Sequence, residues 1–462
     1  MLTYDLDRRG KLARYDYLYR CIREDILAGR LTAGEKLPSK RSLASHLQTA
    51  VITVQNAYAQ LEAEGYLYTR EKRGYYVADV ERHPAAPGRA PARSAPQPQR
   101  SWLLDLSSGG SGTEDFPFSV WAKLMRRVLS EEGEALLRAT PPNGADALRR
   151  AIAQHLYRFR GISAAPEQIV VGAGTEYLYN LIVQLLGREA VYGVEDPGYS
   201  KAARIYALGG ARTSPVLVDE GGVSLRSLEM SGAQILHTSP NHQFPTGAVT
   251  PIGRRQSLLR WAEAREGRYI IEDDYDSEFR FTLRPIPTLQ SIDRAGRVIY
   301  VNTFSRTLAP SLRISYMVLP KSLTEHYRAQ LGFYSSTVPA MEQYTLARFL
   351  DEGYFEAHIN RMRKSYRAQR DAVIDTILQS PLGEHCRVSG EDAGLHFLLT
   401  IDTKCTDHVL RADAEGRGVR LSFLSDFALS PDAAKPHTLV VNYPGIDLAH
   451  LDAAFNILNS LL

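Results

Sequence analysis

The chain has 462 residues, which is too long for one ordinary domain and fits two or three. Its composition, with 44% hydrophobic and 23% charged residues, is that of a globular protein and excludes a wholly disordered or fibrous chain. The net charge of +3 is unevenly distributed, because basic residues outnumber acidic ones in residues 1–101 and the remainder is mildly acidic. This asymmetry indicates a nucleic-acid-binding module joined to a second unit.

Cysteine content and hydropathy indicate where the protein works. Three cysteines, Cys21, Cys386 and Cys405, cannot form a disulfide framework in a chain of this size. No stretch approaches the roughly 18 uninterrupted apolar residues that a membrane helix needs, and the first residues lack the apolar core of a signal peptide. We therefore expect a cytoplasmic protein that is neither secreted nor embedded in a membrane.

A change of composition divides the chain. Residues 81–104 include RHPAAPGRAPARSAPQPQRS, which is rich in Pro and Ala and lacks large aliphatic side chains, so it predicts an extended linker. Residues 11–80 then form a small N-terminal domain. Residues 105–462 suit a large α/β domain with a smaller appended lobe.

The N-terminal domain has the pattern of a winged helix-turn-helix. Apolar residues recur at helical spacing over residues 12–27, 41–47 and 52–64, and a short turn separates the second helix from the third, which would read DNA. Residues 66–78 alternate around a Lys-Arg-Gly turn and predict a two-stranded wing. A small helical packing domain with a charged surface is the alternative.

The string LPSKRSLASHLQTAVITVQNAYAQLEAEGYLYTREKRGYYVA closely resembles the winged helix-turn-helix of the GntR family of bacterial repressors. The resemblance and the basic pattern imply binding to a double-stranded DNA operator through Lys40, Arg41, Thr53, Gln55, Asn56, Arg70, Lys72, Arg73 and Gly74, the last of which allows the wing turn. The family commonly has Ser-Arg where this chain has Ala50-Val51. A usual contact is therefore missing, although Val51 can still contact a thymine methyl group.

Three segments of the body end in residues that carry chemistry. QIVVGAGTEYLYNLIVQLL predicts a strand, a glycine turn and a helix whose first N–H groups suit a phosphate. YIIEDDYDSEF is a strand that ends in carboxylates and a tyrosine, where open α/β sheets place ligands. VIYVNTFSRTLAPSLRISYMVLP predicts a strand, a polar turn and a second strand that begins at Arg313.

In this order, the segments resemble fold type I aminotransferases that depend on pyridoxal 5′-phosphate (PLP), and the resemblance covers essentially the whole body, including PPNGADALRRAIAQHLYRFRGI, EDPGYSKAARIYALGG and SPNHQFPTGAVTPIGRR. The body is thus expected to be a mixed, mostly parallel sheet flanked by helices, with a smaller C-terminal lobe. A GntR head, a Pro-rich linker and such a body are the architecture of the MocR subfamily of transcriptional regulators. A homodimer and a small-molecule effector are implied.

The resemblance also implies roles in PLP binding. Asp273 would pair with the pyridine nitrogen, Tyr275 with the 3-oxygen, and Tyr199 would flank the ring. His242 lies beside Phe244, which replaces an asparagine common in aminotransferases. The remaining implied residues are Gly174, Thr175, Thr303 and Ser305 around the phosphate, Arg313 at the phosphate or an effector carboxylate, and Arg306.

Arg306 is the decisive departure from the family. This position normally holds the lysine that forms the Schiff base with PLP, whereas a guanidinium stays protonated and is a poor nucleophile. Lys201 lies in a different segment and would have to reach across the site to replace that lysine. Where some relatives place carboxylate-binding arginines, this chain has Lys201 and Gly445, so their amino-acid effector does not carry over.

Three hypotheses follow. The first, which we favour, is a non-enzymatic regulator whose body senses PLP, a preformed adduct of PLP and an amino acid, or another small anion without covalent attachment. The second is an aminotransferase with an accessory DNA-binding domain, if Arg306 is an engineered change. The third is a regulator whose body is a ligand-free dimer scaffold.

Two further clusters receive no site. The pairs His385-Cys386 and Cys405-x-x-His408 match no familiar metal spacing, so no metal is expected. A basic run follows helical spacing and predicts a solvated helix face, with an auxiliary DNA contact as the alternative. That run consists of Arg361, Arg363, Lys364, Arg367 and Arg370.

Overall fold

The chain folds into two units, which contacts separate into residues 1–99 and residues 100–462. The structure is a computed structural model that describes residues 2–71, 73–80, 102–107, 115–281 and 286–462. Most of the predicted linker, residues 81–101, and the predicted DNA contact Lys72 lie outside the described residues. In the described residues, no helix is long and apolar enough to cross a lipid bilayer.

The N-terminal unit is a winged helix-turn-helix. Its elements are α1 (Arg14–Leu27), α2 (Lys40–His46), α3 (Val51–Ala63), β1 (Leu67–Arg70) and β2 (Gly74–Val77). The three helices enclose a core in which Ile22, Leu43, Val54 and Leu61 are fully buried. The strands pair antiparallel with Arg70 opposite Gly74, whose positive φ of 107° favours glycine at the wing turn. The predicted helix-turn-helix and wing are therefore confirmed.

The large part of the second unit alternates strands and helices. Its elements are β3 (Leu104–Asp105), α4 (Phe118–Glu132), α5 (Asp146–Arg160), β4 (Ile169–Gly172), α6 (Thr175–Leu186), β5 (Val191–Asp196), α7 (Ser200–Leu208), β6 (Arg212–Asp219), β7 (Gly222–Val223), α8 (Leu225–Met230), β8 (Ile235–Thr238), α9 (Ile252–Glu263), β9 (Tyr269–Asp273), α10 (Leu289–Ile292), β10 (Val298–Thr303), β11 (Ser315–Val318), α11 (Lys321–Leu331), α12 (Ala340–Asp351) and α13 (Tyr354–Gln379). The sheet has eight strands in the order β4-β11-β10-β9-β8-β5-β6-β7.

This sheet is mixed but mostly parallel, as predicted. Of the strands described in this sheet, only β11 and β7 run opposite to the others. Adjacent residues of one strand enter different cores, since Ile271 and Ile299 pack on one face with α6, whereas Ile270 and Val298 pack on the other with α9. Helices therefore cover both faces, which places the ligand-binding edge at the carboxyl ends of the parallel strands.

The smaller C-terminal lobe contains β12 (Cys386–Ser389), β13 (His396–Ile401), α14 (Asp407–Gly416), β14 (Val419–Arg420), β15 (Thr438–Asn442) and α15 (Leu451–Asn459). Its three-stranded sheet has the antiparallel order β12-β13-β15. β3, which includes Leu104 at the end of the predicted linker, pairs parallel with β14. The Leu106 N–H donates to Arg420 O and its carbonyl accepts from the Asn442 N–H, each at 3.0 Å.

A buried arginine fixes the loop after β8. Arg255 on α9 is fully buried and donates to Thr250 O at 2.8 Å, Pro240 O at 2.7 Å and Asn241 Oδ1 at 3.0 Å. Burial lowers the pKa of Arg255, and its guanidinium lies 3.9 Å from the buried Glu272 carboxylate. These bonds hold the loop that approaches the ligand-binding edge.

The basic run on α13 was predicted to be a solvated face, and this is wrong for part of it. Arg363 donates to Glu278 O at 2.5 Å, and Arg367 donates to Phe281 O at 2.5 Å. Arg370 is buried and donates to Glu391 O at 2.6 Å. These arginines satisfy backbone carbonyls of neighbouring segments, a role that helical spacing alone does not reveal.

Candidate cofactor and DNA-binding sites

A cavity of about 290 Å³ lies at the carboxyl edge of the large sheet. The segments that follow β4, β5, β8, β9 and β10 and the segment that precedes β11 all contribute to it, because these chain ends meet at the same edge. We call it the Asp273 cavity. Its lining residues are Thr175, Glu176, Tyr179, Tyr199, Lys201, Ser239, Phe244, Asp273, Tyr275, Thr303, Ser305, Arg306, Pro310 and Arg313.

Eight of the ten residues predicted to bind a cofactor line this cavity, and Gly174 and His242 do not. Gly174 lies directly before α6 and has a φ of 94°, which favours glycine, and the Arg313 guanidinium lies where a Cβ atom would be. His242 is buried behind Tyr275, and its Nδ1 lies 3.2 Å from the Tyr275 hydroxyl. Both residues support cavity-lining residues in the structure.

Two residues that the sequence pattern did not indicate, Tyr179 and His237, hold the Asp273 carboxylate in place. The Tyr179 hydroxyl donates to Asp273 Oδ2 at 2.5 Å, and His237 Nε2 lies 3.4 Å from the same oxygen. His237 in turn lies 2.6 Å from the Tyr206 hydroxyl through Nδ1. The other oxygen, Asp273 Oδ1, is buried and has no hydrogen-bond partner among the residues that the structure describes. The carboxylate is therefore fixed in orientation and has one oxygen available to a ligand.

A second part of the cavity lining has the features of an anion-binding site. Among the described residues, no side chain caps the N-terminus of α6 at Gly174, so the first N–H groups of this helix are available to a ligand. Ser305 Oγ is buried and has no hydrogen-bond partner in the described part of the chain, while the Ser305 N–H donates to Thr303 Oγ1 at 3.1 Å. Thr303 and Ser305 line the same cavity as Thr175, the first residue of α6.

Arg313 is partly neutralised. Its guanidinium pairs with Glu176 on α6, and its backbone has a left-handed φ of 51°. Arg313 lies before β11, which begins at Ser315 rather than at Arg313 as predicted. An anionic ligand at the N-terminus of α6 would therefore compete with the Glu176 carboxylate for Arg313.

Aromatic side chains and two cations, Lys201 and Arg306, also line the cavity. Burial raises the pKa of Tyr199 to about 12 and that of Tyr275 well above its ordinary value, although the charge of Arg306 acts in the opposite direction on both. Both hydroxyls thus remain protonated donors. Lys201 lines the same cavity as Arg306, and the expectation that it would have to reach across the site stays a prediction.

One buried group near the Asp273 cavity has the composition of a metal site. His242, Asp276 and His396 place ligand atoms within 4.8 Å of one another. His242 Nδ1 lies 2.8 Å from Asp276 Oδ2, and His396 Nε2 lies 3.0 Å from Pro245 O. Both rings are thus already hydrogen-bonded to protein groups, and the histidines come from different segments whose sequence spacing gave no signal.

The DNA-binding residues of the first unit lie on its helix-turn-helix and wing. Gln55 and Asn56 are exposed on α3, Thr53 is half-buried there, and Lys40 and Arg41 begin α2. Val51 and Ile52 lie directly before Thr53, and these two apolar side chains are exposed, with 43% and 58% of their surface accessible.

At the wing, the Arg70 guanidinium lies 4.8 Å from the centre of the Tyr76 ring, and Tyr68 stacks on Tyr76. Arg73 is exposed beside Gly74. The wing thus presents basic side chains on a rigid aromatic base.

Comparisons with known proteins identify the family. Residues 14–77 match bacterial regulatory proteins of the gntR family, and residues 103–411 match aminotransferase class I and II. The HTH-type transcriptional regulator YdeL of Bacillus subtilis is 38% identical over 91% of either chain. The probable rhizopine catabolism regulatory protein MocR of Rhizobium meliloti is 34% identical over 98% of this chain and 95% of its own. The chain belongs to the MocR subfamily of GntR regulators.

This MocR-type protein is therefore a transcriptional regulator with a GntR helix-turn-helix and an aminotransferase-like domain. The HTH-type pyridoxine biosynthesis transcriptional regulator PdxR of Corynebacterium glutamicum is also 34% identical, over 88% of this chain and 87% of its own.

Solved enzymes share the fold of the MocR-type body. Kynurenine aminotransferase of Pyrococcus horikoshii, solved in complex with PMP, has a TM-score of 0.69 and 22% identity over 79% of this chain and 91% of its own. LysN of Thermus thermophilus, an α-aminoadipate aminotransferase complexed with N-(5′-phosphopyridoxyl)-L-leucine, has a TM-score of 0.67 and 25% identity over 77% of this chain and 91% of its own. The predicted fold type I body is confirmed.

Proposed function

We propose that this MocR-type regulator senses PLP, or a preformed adduct of PLP and an amino acid, in the Asp273 cavity without covalent attachment. The observation that carries the proposal is that two buried oxygens, Asp273 Oδ1 and Ser305 Oγ, have no partner in the described part of the chain and lie in one cavity that Arg306 also lines. When bound, PLP supplies an electrophilic aldehyde and an electron-withdrawing ring. The cavity has a partner for each end of such a ligand.

Different residues of the Asp273 cavity would contact different parts of the PLP molecule. Asp273 Oδ1 would accept from a protonated ring nitrogen, the Tyr275 hydroxyl would donate to the 3-oxygen, and the Tyr199 ring would flank the ligand. The phosphate would lie at the N-terminus of α6 with Thr303 and Ser305. Arg313 would exchange its pairing with Glu176 for the phosphate or for a carboxylate.

Arg306 decides between a sensor and an enzyme. A guanidinium is protonated at every accessible pH, so it cannot attack an aldehyde or move a proton at the reacting carbon, both of which need a neutral amine. Its charge would instead pair with a phosphate or a carboxylate of the ligand. We therefore propose a regulator rather than an aminotransferase.

Replacing Arg306 with lysine tests this assignment. Borohydride reduction in the presence of PLP should leave the cofactor covalently attached to Arg306→Lys at residue 306 and should leave none on the unchanged protein. Mass spectrometry of the digested protein locates the adduct. Lys201→Met in the Arg306→Lys background is the control and should not reduce the yield.

Two results would contradict the proposal. Covalent attachment to the unchanged protein at Lys201 would mean that another amine replaces the missing lysine. Failure of PLP to bind both proteins would favour a body that serves only as a scaffold.

We further propose that the regulator works in the cytoplasm as a homodimer whose two heads bind two half-sites of a DNA operator. Exposed polar side chains of α3 would read base edges, while the basic wing would contact phosphates. The expected support is a complex of one dimer per two half-sites in sedimentation experiments.

The wing arginine gives a direct test of DNA binding. Arg70→Ala should weaken binding to the operator by about tenfold. It should weaken binding to unrelated DNA by a similar factor, because a phosphate contact carries no sequence information. Fluorescence anisotropy at several salt concentrations should also give a salt dependence smaller by about one ion. Arg20→Ala on α1, which pairs with Asp16, is the control. An unchanged salt slope for Arg70→Ala would remove this residue from the interface.

A further inference from the structure

A second cavity, of about 250 Å³, lies between α5, the segment after β9 and the start of α13. It shares no lining residue with the Asp273 cavity. We call it the α5–α13 cavity, after the two helices that form its walls. None of the roles proposed above explains its contents.

Unpartnered polar atoms surround this cavity. Within the part of the chain that the structure describes, Glu278 Oε2, Glu356 Oε2, Arg160 Nε and Ser277 Oγ are buried without a hydrogen-bond partner. His155 Nδ1 is also buried, with the Glu356 carboxylate 3.5 Å away. The Arg160 and His155 side chains are only 8% and 9% exposed. Folded proteins leave few buried polar atoms unpaired, so four around one cavity indicate that a polar ligand binds there.

The cavity offers both signs of charge. The two carboxylate oxygens are acceptors suited to an ammonium group, and His155 Nδ1, 3.5 Å from Glu356 Oε1, adds a third polar atom there. Arg280 also lines the cavity, and the charges of Arg160 and Asp392 act on its guanidinium. Partial burial lowers the pKa of Arg280, and an anionic partner would offset that desolvation.

Apolar side chains complete the wall. The His155 ring centre lies 4.9 Å from that of Phe159 and 5.0 Å from that of Phe355, and Ile359 follows one turn later on α13. A ligand with an ammonium group, a carboxylate and an apolar side chain therefore matches the two carboxylates, Arg280 and the apolar wall of the cavity, and the volume suits a molecule smaller than a typical drug.

We propose that the α5–α13 cavity binds a small apolar α-amino acid. The ammonium group would lie at Glu278 and Glu356, the carboxylate at Arg280, and the side chain against Phe159 and Phe355. This site is separate from the proposed PLP site and does not depend on it.

Calorimetric titration of the full-length protein without PLP tests the proposal. The probes are L-leucine, 3-methylbutylamine, which lacks the carboxylate, and 4-methylpentanoate, which lacks the ammonium group. We expect L-leucine to bind and each analogue to bind at least about tenfold more weakly, because each loses a charge-assisted hydrogen bond. Absence of L-leucine binding, or equal binding of either analogue, would overturn the proposal.

Variants then locate the binding site. Glu356→Gln and Arg280→Gln should each weaken L-leucine binding by about tenfold, whereas Glu325→Gln on the exposed face of α11 should not change it. Denaturant unfolding of each variant shows whether it is folded. If Asp273→Asn abolished L-leucine binding while Glu356→Gln preserved it, the ligand would occupy the Asp273 cavity and the proposal would be wrong.

Discussion

Arg255→Ala is expected to lower the free energy of unfolding of the aminotransferase-like unit by about 3–5 kcal/mol, because it removes one partner from a buried charge pair. The substitution leaves Glu272 buried near an empty volume and removes the donors to Thr250 O and Pro240 O. Urea unfolding followed by circular dichroism measures the loss.

The neighbouring residue supplies the control for this prediction. Arg254 pairs with Asp219 in a partly exposed salt bridge, with 25% and 48% of the two side chains accessible. Solvent screens such a pair, so Arg254→Ala should lower the free energy of unfolding by only about 0–1 kcal/mol. Equal losses of unfolding free energy in the two variants would contradict the expectation that the buried network around Arg255 stabilises the unit more than an exposed ion pair does.

Asp273→Asn should weaken PLP binding by about 100-fold, the upper range for losing a charge-assisted hydrogen bond to the ring nitrogen. The amide keeps the shape of the carboxylate but lacks its charge, so the change reports on that contact. Titration of PLP by its absorbance or by quenching of protein fluorescence gives the dissociation constants.

A matched variant distinguishes contact from orientation. Tyr179→Phe removes the hydroxyl that donates to Asp273 Oδ2 but leaves the carboxylate charge in place. We expect about a fivefold loss, in keeping with a single neutral donor. If Asp273→Asn bound PLP as tightly as the unchanged protein, the proposed role of Asp273 would be wrong.

The sequence predicted the position of the Asp273 cavity well because the relevant residues follow strands. Asp273 and Thr303 are the last residues of apolar strands, and Thr175 follows another strand after a short turn. The carboxyl ends of parallel strands meet at one edge of the sheet. A signal for Tyr179 also exists, since it follows Thr175 by one helical turn on α6.

Contacts between distant segments gave no such signal. His237 lies in the middle of an apolar strand and reads as core, yet its ring approaches Asp273. The ion pair of Glu176 with Arg313 joins residues 137 positions apart. The α5–α13 cavity likewise depends on how α5, α13 and the segment after β9 pack together, which local periodicity does not specify.

The pairing of β3 with β14 determines which part of the body receives the incoming chain. The first strand described after residue 80 belongs to the C-terminal lobe, through Leu104 with Val419 and Asp105 with Arg420, and not to the large sheet. The chain that comes from the DNA-binding unit therefore joins the body at this lobe. A rotation of the lobe against the large sheet would carry that point of attachment with it.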